Sequence, residues 1–347
     1  MKKIILINFT IIVFLTAIFE LILGAWLDKN NFGIHMRGQL NQKFKVISEG
    51  ASVKGETQEF LFFRNSLAFR NYEVEAKDID VIFNGGSTTI QSYLPYDQTI
   101  VGLLNKFLED KNIFIANAGM EGKSTYGYLC DFKHWFSKIE DLKPKYYIFY
   151  TGYNDTWNLS NDNIRSRQRH CEGSTSRQSI KHKLIDYLVN SSFLISSLLK
   201  LKNKYFEKKV YHDANTYSSF YNKGPIRYTS YEDAKKLNIK MRNPSKQRVP
   251  IYKKNLENLK KIILDKKITP IFITQVDSLG NYNPVIRQIN SITKNFAEEN
   301  NFIIIKLDEE INLKTSDFYD DVHTTKVGSE KVAKYIFDKI NIYFQHK

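Results

Sequence analysis

Ile79-Asp80-Val81-Ile82-Phe83-Asn84-Gly85-Gly86-Ser87-Thr88-Thr89 is the stretch whose reading decides the fold. Its first half is a β-branched and aromatic run, the composition of a buried strand. Its second half drops to small residues. Gly85 and Gly86 free the backbone for a tight exit, and Ser87 follows at the start of a helical segment. A serine so placed holds its hydroxyl at the carboxyl end of a parallel strand, the edge where open α/β sheets bind ligands. Taken alone, the same residues also suit a glycine turn with a serine helix cap. The rest of the chain separates the two readings.

From Ile79 onward short apolar runs alternate with amphipathic ones. Strands are predicted at Asp80–Asn84, Ile113–Asn117, Tyr146–Thr151, Ile268–Thr274 and Phe302–Leu307. Helices are predicted at Gln98–Glu109, Thr125–Ile139, Tyr252–Leu264, Pro284–Glu299 and Ser329–Tyr343. This alternation implies a parallel sheet covered on both faces. One break is long, from about residue 157 to about residue 250. It carries its own apolar helix, about Leu184 to Leu201, and a basic, tyrosine-rich stretch from Tyr205 to Tyr252. The expected organisation is an anchor (1–27), a stalk and extended segment (28–78), and one α/β domain (79–347) with that large insertion.

The anchor follows from Met1-Lys2-Lys3 and the run Ile4–Leu27, apolar except for Asn8, Thr10, Thr16 and Glu20. About 23 helical residues reach roughly 34 Å, enough to cross a bilayer's hydrocarbon core. Glu20 lies toward the far end, and Trp26 sits where an interfacial aromatic is expected. A cleaved signal peptide competes, but no clean small-x-small site follows the run. Lys2 and Lys3 favour a cytoplasmic N-terminus, which puts the remainder outside the cytoplasm, periplasmic or extracellular.

The 347 residues carry 42% apolar side chains, enough for a sizeable core. The formal charge is +14, yet Ser160–Lys260 holds about 22 Lys/Arg against about 8 Asp/Glu, which is the whole excess. One basic insertion is therefore a better description than a basic protein, and nucleic acid is not an expected partner. Cys130 and Cys171 make neither a disulfide framework nor a zinc set, and sequence leaves their pairing open. No dinucleotide, P-loop or His-Glu-x-x-His pattern is present, so neither a cofactor nor a metal is expected.

The residues after each strand carry the chemistry. Gly85-Gly86-Ser87 follows the first, Asn117-Ala118-Gly119 the second and Gly152-Tyr153-Asn154-Asp155 the third, while Asp320-Asp321-Val322-His323 comes after the last. Loops leaving the carboxyl ends of parallel strands converge on one edge. A nucleophile, backbone and amide donors and an acid–base pair thereby meet, the inventory of an acyl-transfer site.

These four blocks, in this order, resemble the SGNH (GDSL-type) hydrolase family, named for its Ser, Gly, Asn and His. The resemblance covers about Ile79 to the C-terminus, the insertion excepted. One departure is visible: Gly86 stands where the Gly-Asp-Ser-Leu form has Asp, as in membrane-anchored members that the Gly-Gly-Ser-Thr-Thr block resembles. The resemblance implies a three-layer α/β/α sandwich, flavodoxin-like, with a five-stranded parallel sheet. It implies Ser87 as nucleophile, His323 as general base and Asp320 as its orienting carboxylate. It also implies an oxyanion hole of the Ser87 N–H, the Gly119 N–H and the Asn154 side-chain amide. Asp321 is nearer His323 in sequence, but adjacent side chains point apart in extended chain, which favours Asp320. Asp155 is expected to brace its loop.

The expected activity is that of an O-acyl esterase, acetyl above all, acting on cell-surface carbohydrate through an acyl-enzyme. An acetyltransferase shares that intermediate, and a catalytically idle surface-binding or assembly platform is the remaining alternative. In the insertion, Arg165, Arg167, Arg169 and Arg177 would suit an anionic glycan, or equally a solvated face or lipid headgroups.

Overall fold

Every residue of Val81–Gly85 is buried, and this segment forms strand β3 at the interior of a five-stranded sheet. A computed structural model of the chain describes residues 2–24, 26, 41–157, nine positions within 188–201, and 209–213, 248–278 and 284–344. The four insertion arginines and Cys171 lie outside the described residues.

The apolar N-terminus is helix α1 (Lys2–Leu23), with none of its residues buried and a mean hydropathy of 2.5 over its most apolar window. Its length and composition suit a membrane span. Two strands then lie where sequence reading placed an extended segment, β1 (Lys43–Glu49) and β2 (Thr57–Phe63). They pair antiparallel, Lys43 opposite Phe63 and Glu49 opposite Thr57, and β6 (Lys209–Asp213) from the insertion adds in parallel to β1. Val46 and Phe62 from this small sheet pack against Ile90, which ends the one-turn helix α2 (Ser87–Ile90).

The main sheet adds β4 (Ile115–Asn117), β5 (Tyr146–Tyr150), β7 (Thr269–Ile273) and β8 (Ile303–Ile305) to β3. All are parallel, in the order β4-β3-β5-β7-β8. This is a flavodoxin-like order, in keeping with the five-stranded parallel sheet that the resemblance implies. Period-two alternation sends neighbouring side chains to opposite faces. Val81, Phe83, Ile148, Ile271 and Ile273 meet helices α3 (Ile100–Phe107) and α9 (Lys326–Ile340). Ile82, Tyr147, Phe149 and Phe272 meet α4 (Thr125–His134), α6 (Arg248–Lys266) and α7 (Pro284–Glu299). Two apolar layers on one sheet make the three-layer sandwich. Two short helices complete it, α5 (Tyr153–Trp157) after β5 and α8 (Leu307–Glu310) after β8.

In this strand order the connections diverge between β3 and β5, so the loops after those two strands flank a crevice. Ser87 follows β3 and Asn154 follows β5. The turn out of β5 depends on Gly152, at φ +110°, where an added Cβ would stand 2.4 Å from Ile289 Cγ2. Backbone and packing both exclude a side chain there. Gly152→Ala is expected to destabilise the fold by about 1–3 kcal/mol, read as a lower midpoint in urea unfolding with an unchanged slope.

Candidate active site

Ser87 begins α2, directly after Gly86, and is almost wholly buried. As the first residue of a helix its N–H has no intrahelical acceptor. Four residues on, Gln91 takes a left-handed conformation that stops the helix, φ 47°. Its side chain then reaches across the fold. Gln91 Nε2 donates to Thr324 Oγ1 (3.1 Å) and Ser329 Oγ (2.7 Å), and its Oε1 accepts the Ile100 N–H. The turn that bears Ser87 is thereby tied to the residue after His323.

His323 stands in a tight turn between the 3₁₀ turn Thr315–Asp317 and α9. The Tyr319 N–H donates to the His323 carbonyl, and the two rings lie nearly parallel at 5.6 Å. His323 Nδ1 and Asp320 Oδ2 are 2.6 Å apart, while Asp320 Oδ1 accepts the N–H groups of Val322 (2.9 Å) and His323 (2.7 Å). With the carboxylate ionised, Nδ1 must carry the proton, which leaves Nε2 as the free base. Asp321 is not the carboxylate that pairs with Nδ1. It is exposed, and its carbonyl accepts the Ser278 N–H at 2.8 Å, fastening this turn to the loop after β7.

Burial alone would lower the pKa of His323, but the Asp320 charge and hydrogen bond outweigh it and raise the value above 6.5. Burial likewise opposes ionisation of Asp320, and His323 with the two N–H donors brings its pKa below 3.8. The carboxyl of Asp321, exposed as a residue but partly desolvated by the turn, is pushed up by that desolvation and by the Asp320 charge.

Asn154 Nδ2 donates to the Lys123 carbonyl at 3.0 Å, which spends one of its two amide hydrogens. Gly119 lies beside α2, where an added Cβ would be 2.4 Å from the Ile90 nitrogen. Its N–H, expected in the oxyanion hole, instead donates to Asn117 Oδ1 at 2.9 Å. Asn117 closes a local turn of its own, so this donor is engaged in the present conformation. Among the described residues no hydrogen bond joins Ser87 Oγ to His323. Contacts of that kind often tighten only around substrate. Asp155 braces the loop, its carboxylate accepting from the Thr125 hydroxyl (2.6 Å) and N–H (3.1 Å) at the start of α4.

Sequence reading passed over Lys123. Its ammonium is buried under the site, donating to Asn84 Oδ1 (2.8 Å), Asp131 Oδ2 (2.6 Å) and the Ala118 carbonyl. Burial lowers its pKa and the Asp131 charge opposes that. Two further buried cations stand nearby. Arg64 donates to the carbonyls of Ala68 and Gly119, and Arg70 to those of Ile90, Gln91 and Leu94. Burial brings Arg64 down to about 10 and Arg70 to about 9, so both stay charged at neutral pH. In sequence Lys123 reads as an ordinary loop cation, whereas a structural role is expected of Arg64 and Arg70. The signal that sets Arg64 and Arg70 apart is their place inside the apolar segment Phe60–Arg70.

No known family signature and no curated protein matches this chain. Solved structures with a similar outline include an acetyl xylan esterase (14% identity, TM-score 0.41, 74% of this chain and 98% of that one). An acetylxylan esterase variant from Geobacillus stearothermophilus superposes with TM-score 0.40 at 14% identity, over 75% of this chain and 93% of that one. An α/β-hydrolase enzyme from the metagenome of Lake Arreo, Spain, gives 0.41 at 14%, over 75% and 94%. The likeness is one of outline, and no residue is assigned from it.

The buried Lys123–Asp131 pair makes a clear stability prediction. Lys123→Met leaves a carboxylate buried without its cation, so a loss of about 3–5 kcal/mol is expected. Lys123→Met/Asp131→Leu recovers most of it, both read by denaturant unfolding. The sign for His323–Asp320 follows from the two shifts. Asp320 contributes above its ordinary pKa of about 3.9 and His323 fully below about 6.5, so the pair stabilises most between these values. That contribution falls away as pH drops through the depressed Asp320 value or rises through the raised His323 value.

Proposed function

We propose that this protein is a serine acyl hydrolase that removes O-acyl groups, acetyl above all, from cell-surface carbohydrate through an acyl-enzyme. The observation that carries this reading is the 2.6 Å pairing of His323 Nδ1 with Asp320 on a turn bound, through Gln91, to the helix that Ser87 begins. A histidine held by one nitrogen to a largely buried carboxylate, on a turn tied to the helix that a serine begins, suits an activated hydroxyl. The bland alternative, a glycine turn with a capping serine, leaves that pairing without a purpose.

In this reading the Ser87 hydroxyl adds to the ester carbonyl carbon as its proton passes to His323 Nε2. Asp320 keeps the ring in the needed tautomer and stabilises the imidazolium that forms. Negative charge develops on the carbonyl oxygen, for which the Ser87 N–H and the second Asn154 amide hydrogen are the available donors. The Gly119 N–H joins them if Asn117 Oδ1 releases it. His323 then protonates the departing sugar oxygen, leaving the acyl group on Ser87. Water, activated by the same ring, completes hydrolysis. An acceptor sugar hydroxyl in the place of water would make the protein a transferase.

Turnover of a chromogenic acetyl ester by the full chain is expected to fall by on the order of 10⁴ or more in Ser87→Ala. Mass spectrometry should place an acyl increment on Ser87. Turnover equal in the parent and Ser87→Ala would sink the proposal. Asn154→Ala is expected to lose about 2.7–4 kcal/mol of transition-state stabilisation, expressed in kcat more than in KM.

The pH profile tests the histidine. Its pKa is raised above 6.5, and only the neutral ring accepts a proton, so the acid limb of the kcat/KM profile should lie above pH 6.5. In Asp320→Asn the charge that raises the value is gone while burial remains. The acid limb of the residual activity should then move to lower pH, with kcat down by about 10⁴.

A further inference from the structure

We propose that the segment beginning at Ser192 makes a second contact with the bilayer, fastened to the α1 span through Glu20. The inference rests on reading α1 as a membrane span, and it is independent of the chemistry at Ser87.

Glu20 is a carboxylate near the far end of an otherwise apolar helix, a position that is costly unless its oxygens are answered. Oε1 accepts from Ser192 Oγ (2.8 Å) and the Leu194 N–H (2.9 Å). Oε2 accepts from the Phe193 N–H (2.9 Å) and Trp26 Nε1 (3.1 Å). The first N–H groups of a helix lack intrahelical acceptors. Glu20 therefore satisfies the start of a helical segment, and that start satisfies Glu20. The Ser192 hydroxyl also accepts the Ile195 N–H at 3.1 Å, so serine and glutamate cap the same turn together. Phe19 stands edge-on to Phe193 at 5.4 Å, adding an apolar contact beside the polar one.

From this cap run Leu194, Leu198 and Leu201, spaced four and three apart as on one helical stripe. They are 39%, 66% and 52% exposed. The stripe begins at the turn that Glu20 caps, and at that end of α1 Leu21, Ile22 and Leu23 are also exposed. The occupant that covers α1 is hydrocarbon, and the same boundary layer lies against leucines leaving from its end. A helix set in the interface buries its apolar face just below the headgroups. The sequence of residues 160–260, with about 22 cations against 8 anions, has the sign of charge that anionic headgroups attract.

The test uses the full chain in vesicles of phosphatidylcholine and phosphatidylglycerol containing a diazirine-bearing phospholipid. After photolysis, adducts are mapped by mass spectrometry of peptides. Adducts are expected in α1 and in the peptide carrying Leu194–Leu201. Leu194→Ser/Leu198→Ser/Leu201→Ser should lose the second set severalfold and keep the first. Glu20→Ala should do the same by releasing the segment. An unchanged urea unfolding midpoint shows that the variants are folded. Adducts in α1 with none in Leu194–Leu201 overturn the proposal alone. Adducts in neither overturn the span and the proposal together.

Discussion

A lysine shut away from water keeps its proton only if the fold answers each of its N–H bonds, and Lys123 has three partners: Asn84, Asp131 and the Ala118 carbonyl. Those partners come from the end of β3, from α4 and from the loop after β4. The main-chain carbonyl of the same residue holds the Asn154 amide of the loop after β5. One side chain and its own backbone thus join three of the four strand exits that border the crevice. Burying an ion pair gains little net stability, because desolvating two charges costs about as much as their attraction returns. The gain lies in geometry. The Asn84 amide also donates to Asp131 Oδ2, so strand end, cation and carboxylate form a closed triangle that admits little play.

The same arrangement sets the electrostatics of the crevice. Lys123, Arg64 and Arg70 are all buried, and carbonyl oxygens are prominent among their partners. Asp131 and Glu121 are the carboxylates whose charges act on Arg64. In a medium less polarisable than water such charges carry further. For a reaction that builds negative charge above Ser87, fixed cations cost no reorganisation at the moment of reaction. There is also a local effect. The Ala118 carbonyl that Lys123 grips belongs to the same peptide unit as the Gly119 N–H. Withdrawing electron density from that carbonyl makes the N–H a stronger donor, and Asn117 Oδ1 is the acceptor that takes it here.

How much of this the sequence revealed depends on the kind of signal each element carries. Strands such as β3, β5 and β7 sit between two helical layers, so they read as continuous apolar runs and are plain in the chain. Strands β1 and β2 were read as extended chain only. They belong to a three-stranded sheet half open to solvent, and residues such as Lys43, Lys45, Glu49 and Glu59 break up their apolar pattern. The turn bearing Asp320 and His323 was legible because the two residues are three apart, a local relation. The Gln91 bridge to Thr324 and Ser329 spans more than two hundred residues and leaves no local mark. Lys123, in Glu121-Gly122-Lys123-Ser124, looks like a solvated loop cation, and only the packing of α4 over it says otherwise.

Gly86 shows how a departure in sequence can be a requirement of the fold. A Cβ at this position would lie 2.3 Å from Asn154 Nδ2 and 3.2 Å from the Lys123 carbonyl. Contact that close does not occur, so any side chain here displaces the amide or the loop beneath it. An aspartate at 86 and this placement of Asn154 are therefore mutually exclusive. The space that a side chain would fill is filled by Asn154, and Asn154 is where it is because Lys123 accepts its hydrogen bond. The glycine before the serine, the amide opposite it and the buried lysine below form one interlocked choice.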